Sequence, residues 1–118
     1  MRPRRKPLVL IAMRDGGERM RLYALLDGAG CDAAILEPGR QALEWAAGSR
    51  PDAALSDARP GDPGDARFLA DLRAILPETP IVLEAGIRDL DAAAGSRPGD
   101  RETLLRRLGI GLPEEAVA

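Results

Sequence analysis

The chain has 118 residues, of which 31% are charged and 45% are hydrophobic, and its net charge is −2. This length predicts one domain, residues 1–118, with a hydrophobic core of its own, and the composition excludes a disordered chain. The sequence has no histidine and a single cysteine, Cys31. These counts exclude histidine-based catalysis, an internal disulfide and an ordinary zinc site.

The sequence shows neither a membrane-spanning segment nor a pattern typical of nucleic-acid binding. No apolar run reaches the roughly 20 residues that a membrane-spanning helix needs, so we expect a cytoplasmic protein that does not bind membranes. Residues 1–6 form a basic N-terminal tip with three arginines and one lysine, and residues 109–118 form a C-terminal tail. No aromatic residue or second basic cluster accompanies the tip, so we expect no nucleic-acid contact.

Short apolar runs alternate with amphipathic segments along the chain. The first run, residues 8–13, predicts a strand that is buried on both faces. The segment 18–26 predicts a helix that packs through Met20, Tyr23 and Leu26 or Ala24. A glycine-containing stop at residues 27–30 ends this helix.

The same alternation continues to residue 108. The further predicted elements are strands at 33–36, 53–57 and 80–83 and helices at 39–47, 66–76 and 101–108. The inward residues of the second and third helices are predicted to be Leu43, Trp45, Leu69, Leu72 and Ile75 or Leu76. We expect Tyr23, Trp45 and Phe68 simply to fill the core. This order predicts an α/β fold with a doubly wound parallel sheet and helices on both faces.

The segment between the fourth predicted strand and Pro98 is unusually short. Residues 86–97 must hold whatever connects that strand to the last helix. A parallel crossover needs about a dozen residues, and a further strand adds about five more. We therefore expect a fourth helix and a fifth strand to be truncated, merged or missing.

The run from Pro51 to Asp57 is the most informative stretch of the sequence. A short apolar strand ends on the Asp57 carboxylate and then breaks at Pro60 and Gly61. Open α/β folds keep their sites at such carboxyl ends of strands. An aspartate before a turn is also often only a capping residue, and the pattern alone leaves both interpretations open.

Several residues and short motifs, taken in their order along the chain, resemble those of a known protein family. They are Gly30 after the first helix, Pro51-Asp52 before the third strand, Asp57 after it, and Ser96-Arg97-Pro98 before the last helix. Over roughly residues 6–108 the chain resembles the receiver domains of response regulators in two-component signalling. The resemblance implies a CheY-like, flavodoxin-like sheet in the order 2-1-3-4-5, with Asp57 at the phosphoacceptor position.

The metal-binding positions of the family are altered in this chain. Receivers hold Mg²⁺ between the phosphoacceptor and an acidic pair after the first strand, and that pair falls on Met13 and Arg14. A thioether is a poor ligand for a hard cation, and a guanidinium repels it. Asp15 could be recruited only by a register shift. We therefore predict that the Mg²⁺ site is lost, that no cofactor binds, and that Arg14 pairs directly with Asp57.

The switch positions of the family are altered as well. The hydroxyl residue after the fourth strand corresponds to Ala85, or to Glu84 with a shift of one, and the lysine before the proline corresponds to Arg97. Neither Ala85 nor Glu84 offers a neutral hydroxyl donor. The aromatic switch residue has no counterpart. The resemblance thus implies a degenerate receiver that catalyses nothing.

Three functions from different classes follow. The first is a phosphorylation-independent protein-interaction module in bacterial two-component signalling, whose partner is a histidine kinase, a phosphotransferase or a regulator. The second is a working receiver that is phosphorylated on Asp57 with help from Asp15. The third is an unrelated flavodoxin-like ligand binder, although residues 15–17 fall far short of a phosphate-binding fingerprint. We also expect a homodimer through the fourth strand and last helix. The alternatives are a partner protein that uses the same face and coverage by the chain's own tail.

Overall fold

Four strands and three helices alternate along the part of the chain that the structure describes. The structure is a computed structural model, and it describes residues 6–83 together with residues 106, 108 and 109. The elements are β1 (Leu8–Ala12), α1 (Gly16–Gly28), β2 (Asp32–Leu36), α2 (Arg40–Ser49), β3 (Ala53–Ser56), α3 (Pro63–Ile75) and β4 (Ile81–Leu83). Each one overlaps the element that the sequence predicts.

The four strands form a parallel sheet in the order β2-β1-β3-β4. At its centre Leu10 of β1 lies between Ala34 of β2 and Ala54 of β3. This order matches the first four positions of the expected 2-1-3-4-5 sheet. The expected truncation in residues 86–97 and most of the last predicted helix lie outside the described residues.

Both faces of the sheet are covered, as the doubly wound class requires. The α1 face buries Val9, Ile11, Met13, Leu22, Leu26, Ala29, Cys31, Ala53, Leu55, Val82 and Leu108. The face of α2 and α3 buries Leu10, Ala12, Ala42, Ala46, Ala54, Ala58, Phe68, Leu69, Leu72 and Leu76. Alternate residues of β1 supply the two clusters because successive side chains of a strand point to opposite faces.

The buried side of α1 differs from the predicted one. Leu22 and Leu26 are fully buried, whereas Met20 is 56% exposed and Tyr23 is 36% exposed. The predictions that Met20 packs inward and that Tyr23 fills the core are therefore wrong. Apolar residues occur on both sides of this helix, so three- and four-residue steps starting from Met20 or from Leu22 fit the sequence equally well.

The inward residues of the other two helices follow the prediction more closely. In α3, Leu69 and Leu72 are buried, and Phe68 fills the core as expected. In α2 the fully buried residues are alanines, and the predicted Leu43 and Trp45 pack against the cluster while partly exposed. Small side chains in α2 allow this helix to lie close to the sheet.

Capping residues set the helix boundaries. Asp15 accepts a hydrogen bond from the Glu18 N–H, so α1 begins two residues before the predicted start. Asp62 caps α3 in the same way, with Pro63 at the first helical position. The predicted stop after α1 is confirmed, because Gly30 adopts a φ of 84°, which a glycine tolerates without strain.

Candidate functional site

Asp57 lies directly after β3, where the carboxyl ends of β1 and β3 meet. Its Oδ2 accepts hydrogen bonds from the backbone N–H groups of Arg14, at 2.8 Å, and Asp15, at 3.0 Å. The residue is only 9% exposed. Its Oδ1 is buried and accepts no hydrogen bond from the described part of the chain. The two hydrogen bonds to Asp57 thus hold the loop between β1 and α1 against the end of β3.

These contacts decide between the two interpretations of Asp57. The turn after β3 is held by Ser56, whose buried Oγ donates to the Ala12 carbonyl at 2.8 Å and accepts from the Ala58 N–H at 3.1 Å. The bonds of Asp57 instead reach 42 and 43 residues back along the chain. The turn-capping alternative is therefore wrong, and Asp57 belongs to a site shared by two strands.

The Arg14 side chain binds a different carboxylate from the predicted one. Its Nη2 lies 2.6 Å from Oδ1 of Asp65, and its Nη1 lies 3.2 Å from Oδ2 of the same residue. The predicted direct Arg14–Asp57 ion pair is therefore wrong. The Arg14 side chain is 51% exposed, so the guanidinium keeps part of its hydration while it binds Asp65. Contact with the buried Oδ1 of Asp57 would remove that hydration.

Asp65 is the residue of this site that sequence reasoning missed. It lies in the first turn of α3, is 6% exposed, and its Oδ2 also accepts the Arg59 N–H at 2.8 Å. The hydrogen bond from Arg14, followed by that from Arg59, holds the pKa of Asp65 below its usual value. The same bond raises the pKa of Arg14. The signal in the sequence is an acid three residues after the Asp62 cap, a pattern typical of a helix start.

The remaining predicted positions have other roles or lie elsewhere. Met13 is fully buried in the core on the α1 face, and its N–H donates to the Leu36 carbonyl at 3.0 Å. The Asp15 carboxylate caps α1. The switch-position equivalents Ala85 and Arg97 lie outside the described residues.

The groups around Asp57 do not fit Mg²⁺. A divalent cation of this kind needs several oxygen ligands in a near-octahedral arrangement. Here one position is a core thioether, the next is a guanidinium bound to Asp65, and Asp15 is engaged at the start of α1. Among residues 6–83, 106, 108 and 109, no three histidine, cysteine, aspartate or glutamate side chains are grouped to hold a metal ion.

Comparison with known proteins places the fold. No protein-family model matches the chain, and a search of curated proteins found no significant match. Among solved structures, the chain is similar to the solution structure of the apo receiver domain of nitrogen regulatory protein C. The two are 24% identical, with a TM-score of 0.62, over 87% of this chain and 91% of that one. The chain therefore has the fold of a receiver domain.

Proposed function

We propose that this protein is a receiver-fold module that binds a signalling protein without being phosphorylated. The observation that carries this proposal is the state of Asp57, whose carboxylate acts as an acceptor for two backbone N–H groups. A phosphoacceptor must instead expose an oxygen to the phosphodonor and have cationic help beside it. Receiver folds serve two-component signalling, which is why we place the protein in that class of pathway.

Access to the carboxylate argues against phosphoryl transfer. Oδ1, which accepts no hydrogen bond from the residues that the structure describes, is buried, and Oδ2 already accepts two hydrogen bonds. In-line attack on phosphorus requires the oxygen and the donor to approach within about 3–3.5 Å in good alignment. An oxygen without solvent contact reaches that distance only if the surrounding loops open.

Charge argues in the same direction. Developing charge on a transferring phosphoryl group is normally neutralised by a metal ion and fixed cations. The guanidinium of Arg14, whose backbone N–H binds Asp57, is itself bound to Asp65 at 2.6 Å. The alternative of a working receiver requires Asp15 as a metal ligand, and it is disfavoured because Asp15 caps α1.

The proposed module has no catalytic role and needs no Mg²⁺. Its partner in this proposal is a protein, such as a histidine kinase, a phosphotransferase or a regulator, because in the sequence no aromatic residue or second basic cluster accompanies the basic tip. None of the helices in the described part of the chain combines the length and the apolar character that crossing a bilayer requires. A cytoplasmic location remains a prediction.

Intact mass spectrometry tests the proposal. We expect no phosphoryl adduct after incubation with Mg²⁺ and a small-molecule phosphodonor such as acetyl phosphate, because Asp57 is buried and the described residues beside it do not suit Mg²⁺. A receiver that is known to be phosphorylated serves as the positive control in the same reaction. A mass increase of one phosphoryl group that disappears in the Asp57→Ala variant would contradict the proposal.

Self-association is the second part of the proposal. Ile81 and Leu83 are half-buried, and within the described residues β4 pairs with β3 alone. Because strand edges seldom remain uncovered, we expect a homodimer through this edge and the last helix. Light scattering after size exclusion should give a mass of twice 12.6 kDa. A monomer across a micromolar concentration series would favour coverage by the tail instead.

A further inference from the structure

The Asp65 carboxylate is held in the way that proteins hold a bound oxyanion. Two nitrogens of the Arg14 guanidinium approach its two oxygens, and the Arg59 N–H donates to Oδ2 at 2.8 Å. A two-point guanidinium contact combined with a backbone N–H is a strong, charge-assisted arrangement for carboxylate or phosphate. The anion in this arrangement is a side chain of the same protein.

This use of Asp65 is separate from the start of α3. An acid at the third helical position commonly bonds back to the N–H of the capping residue. Here the Asp62 N–H donates instead to the Arg59 carbonyl at 3.0 Å, and the Asp65 carboxylate reaches past it to the Arg59 N–H. The helix keeps its cap through the Asp62 side chain, which accepts the Asp65 N–H at 3.0 Å. The carboxylate is therefore available to fill the site made by Arg14 and Arg59.

We propose that the Arg14 guanidinium and the Arg59 N–H form an oxyanion site that the protein fills with its own Asp65 carboxylate. In this proposal Asp65 is an autoinhibitory anion, and the ligand class that it excludes is phosphate and similar oxyanions. The proposal rests on the proposed function. If the protein is not phosphorylated, the Asp65 carboxylate occupies this site at all times. Removal of Asp65 opens the site.

The surroundings of the site allow an external anion to enter. The Arg14 side chain is half exposed and Arg59 is an exposed residue, so the site borders on solvent. Asp57 and Asp62 also act on Arg14 through their charge. Their repulsion keeps the affinity for a doubly charged phosphate weak.

Titration with inorganic phosphate tests the proposal. The probes are the Arg59 backbone N–H and the Arg14 side-chain N–H, followed by NMR in the wild type and in Asp65→Ala. We expect phosphate to bind the variant at least about tenfold more tightly, because a hydrogen bond to a charged group contributes about 1.5–3 kcal/mol. Equal affinity in the two proteins would overturn the proposal.

Three controls separate this site from general charge effects. Asp71→Ala removes the same charge from an exposed ion pair with Arg67 elsewhere on α3, and it should leave phosphate binding as in the wild type. Arg14→Ala added to Asp65→Ala should abolish the gain, and binding that survives this change would contradict the proposal. Sodium chloride at the same ionic strength should not reproduce the shifts.

A milder variant keeps the proposal testable if Asp65→Ala does not fold. Asp65→Asn has nearly the same shape and retains an acceptor for the Arg59 N–H, so a smaller gain in phosphate affinity is expected. No gain in a folded Asp65→Asn protein would overturn the proposal. Inorganic phosphate is not an activated phosphodonor, because its leaving group would be hydroxide rather than the acetate of acetyl phosphate. This result is therefore independent of the phosphodonor experiment.

Discussion

Replacing Arg14 by alanine is expected to lower the free energy of unfolding by about 2–3 kcal/mol. The change removes both hydrogen bonds from the guanidinium to the Asp65 carboxylate, which is 6% exposed. Among the described residues, the Arg59 N–H is then the remaining donor to this carboxylate. Breaking a fully buried pair costs about 3–5 kcal/mol, and the exposure of Arg14 reduces this figure. Urea denaturation measures the difference.

The matched control is an arginine whose ion pair is exposed. Arg40 binds Glu44 at 3.0 Å on the surface of α2. Arg40→Ala should cost less than about 1 kcal/mol, as exposed pairs do. A double-mutant cycle of Arg14→Ala and Asp65→Ala should give a coupling energy above about 1 kcal/mol. Additive effects of the two changes would show that the pair does not stabilise the fold.

The same pair predicts how stability depends on pH. The pKa of Asp65 is lower in the folded protein than in the unfolded chain, first because of the Arg14 hydrogen bond. The ionised Asp65 carboxylate therefore makes its full contribution to the free energy of unfolding above the unfolded-state pKa, near 3.9. This contribution is lost as the pH falls through the lower folded-state pKa. The stability difference between the wild type and Asp65→Asn should shrink below about pH 4. A difference that stays constant down to acid unfolding would contradict this assignment.

Replacing Leu108 by alanine is expected to cost about 2–4 kcal/mol. Leu108 is fully buried in the cluster on the α1 face, together with Leu55 of β3 and Val82 of β4. A leucine-to-alanine change at such a site removes apolar contacts and leaves a cavity that neighbouring strands cannot close. Thermal and urea unfolding both measure this loss.

Met20 supplies the comparison for Leu108. It is a large apolar residue that lies mostly in solvent. Met20→Ala should change the free energy of unfolding by less than about 0.5 kcal/mol. If Leu108→Ala were as mild as Met20→Ala, the Leu108 side chain would not contribute to the core in solution.

The strands and the parallel class of the sheet could be predicted because their signals are local, whereas the strand order was implied by the resemblance to receiver domains. Apolar runs of four to six residues and the turns between them mark each strand, and α/β topology follows from the alternation. The buried side of α1 could not be predicted, because Leu22 and Met20 begin equally good apolar patterns. Contact with the strands, which the sequence does not display, selects Leu22 and Leu26.

The site was predictable in position but not in its contacts. The expectation that Asp57 and Arg14 meet at one edge of the sheet is correct, since Asp57 binds the Arg14 N–H. The partner of the guanidinium depends on how the loop after β3 folds back, and that loop brings Asp65 within reach of Arg14. The predicted ion pair was based on the attraction between Arg14 and Asp57 alone. Such an estimate cannot identify Asp65 as a competitor for the guanidinium.

The backbone hydrogen bonds of Asp57 change how an aspartate at this position should be understood. The carboxylate holds the Arg14 and Asp15 N–H groups, which would lose a buried acceptor if Asp57 became alanine. This structural role is a reason for an aspartate at this position that does not depend on phosphoryl transfer. An aspartate after the third strand is consequently weak evidence of phosphorylation when the acidic pair beside it has gone.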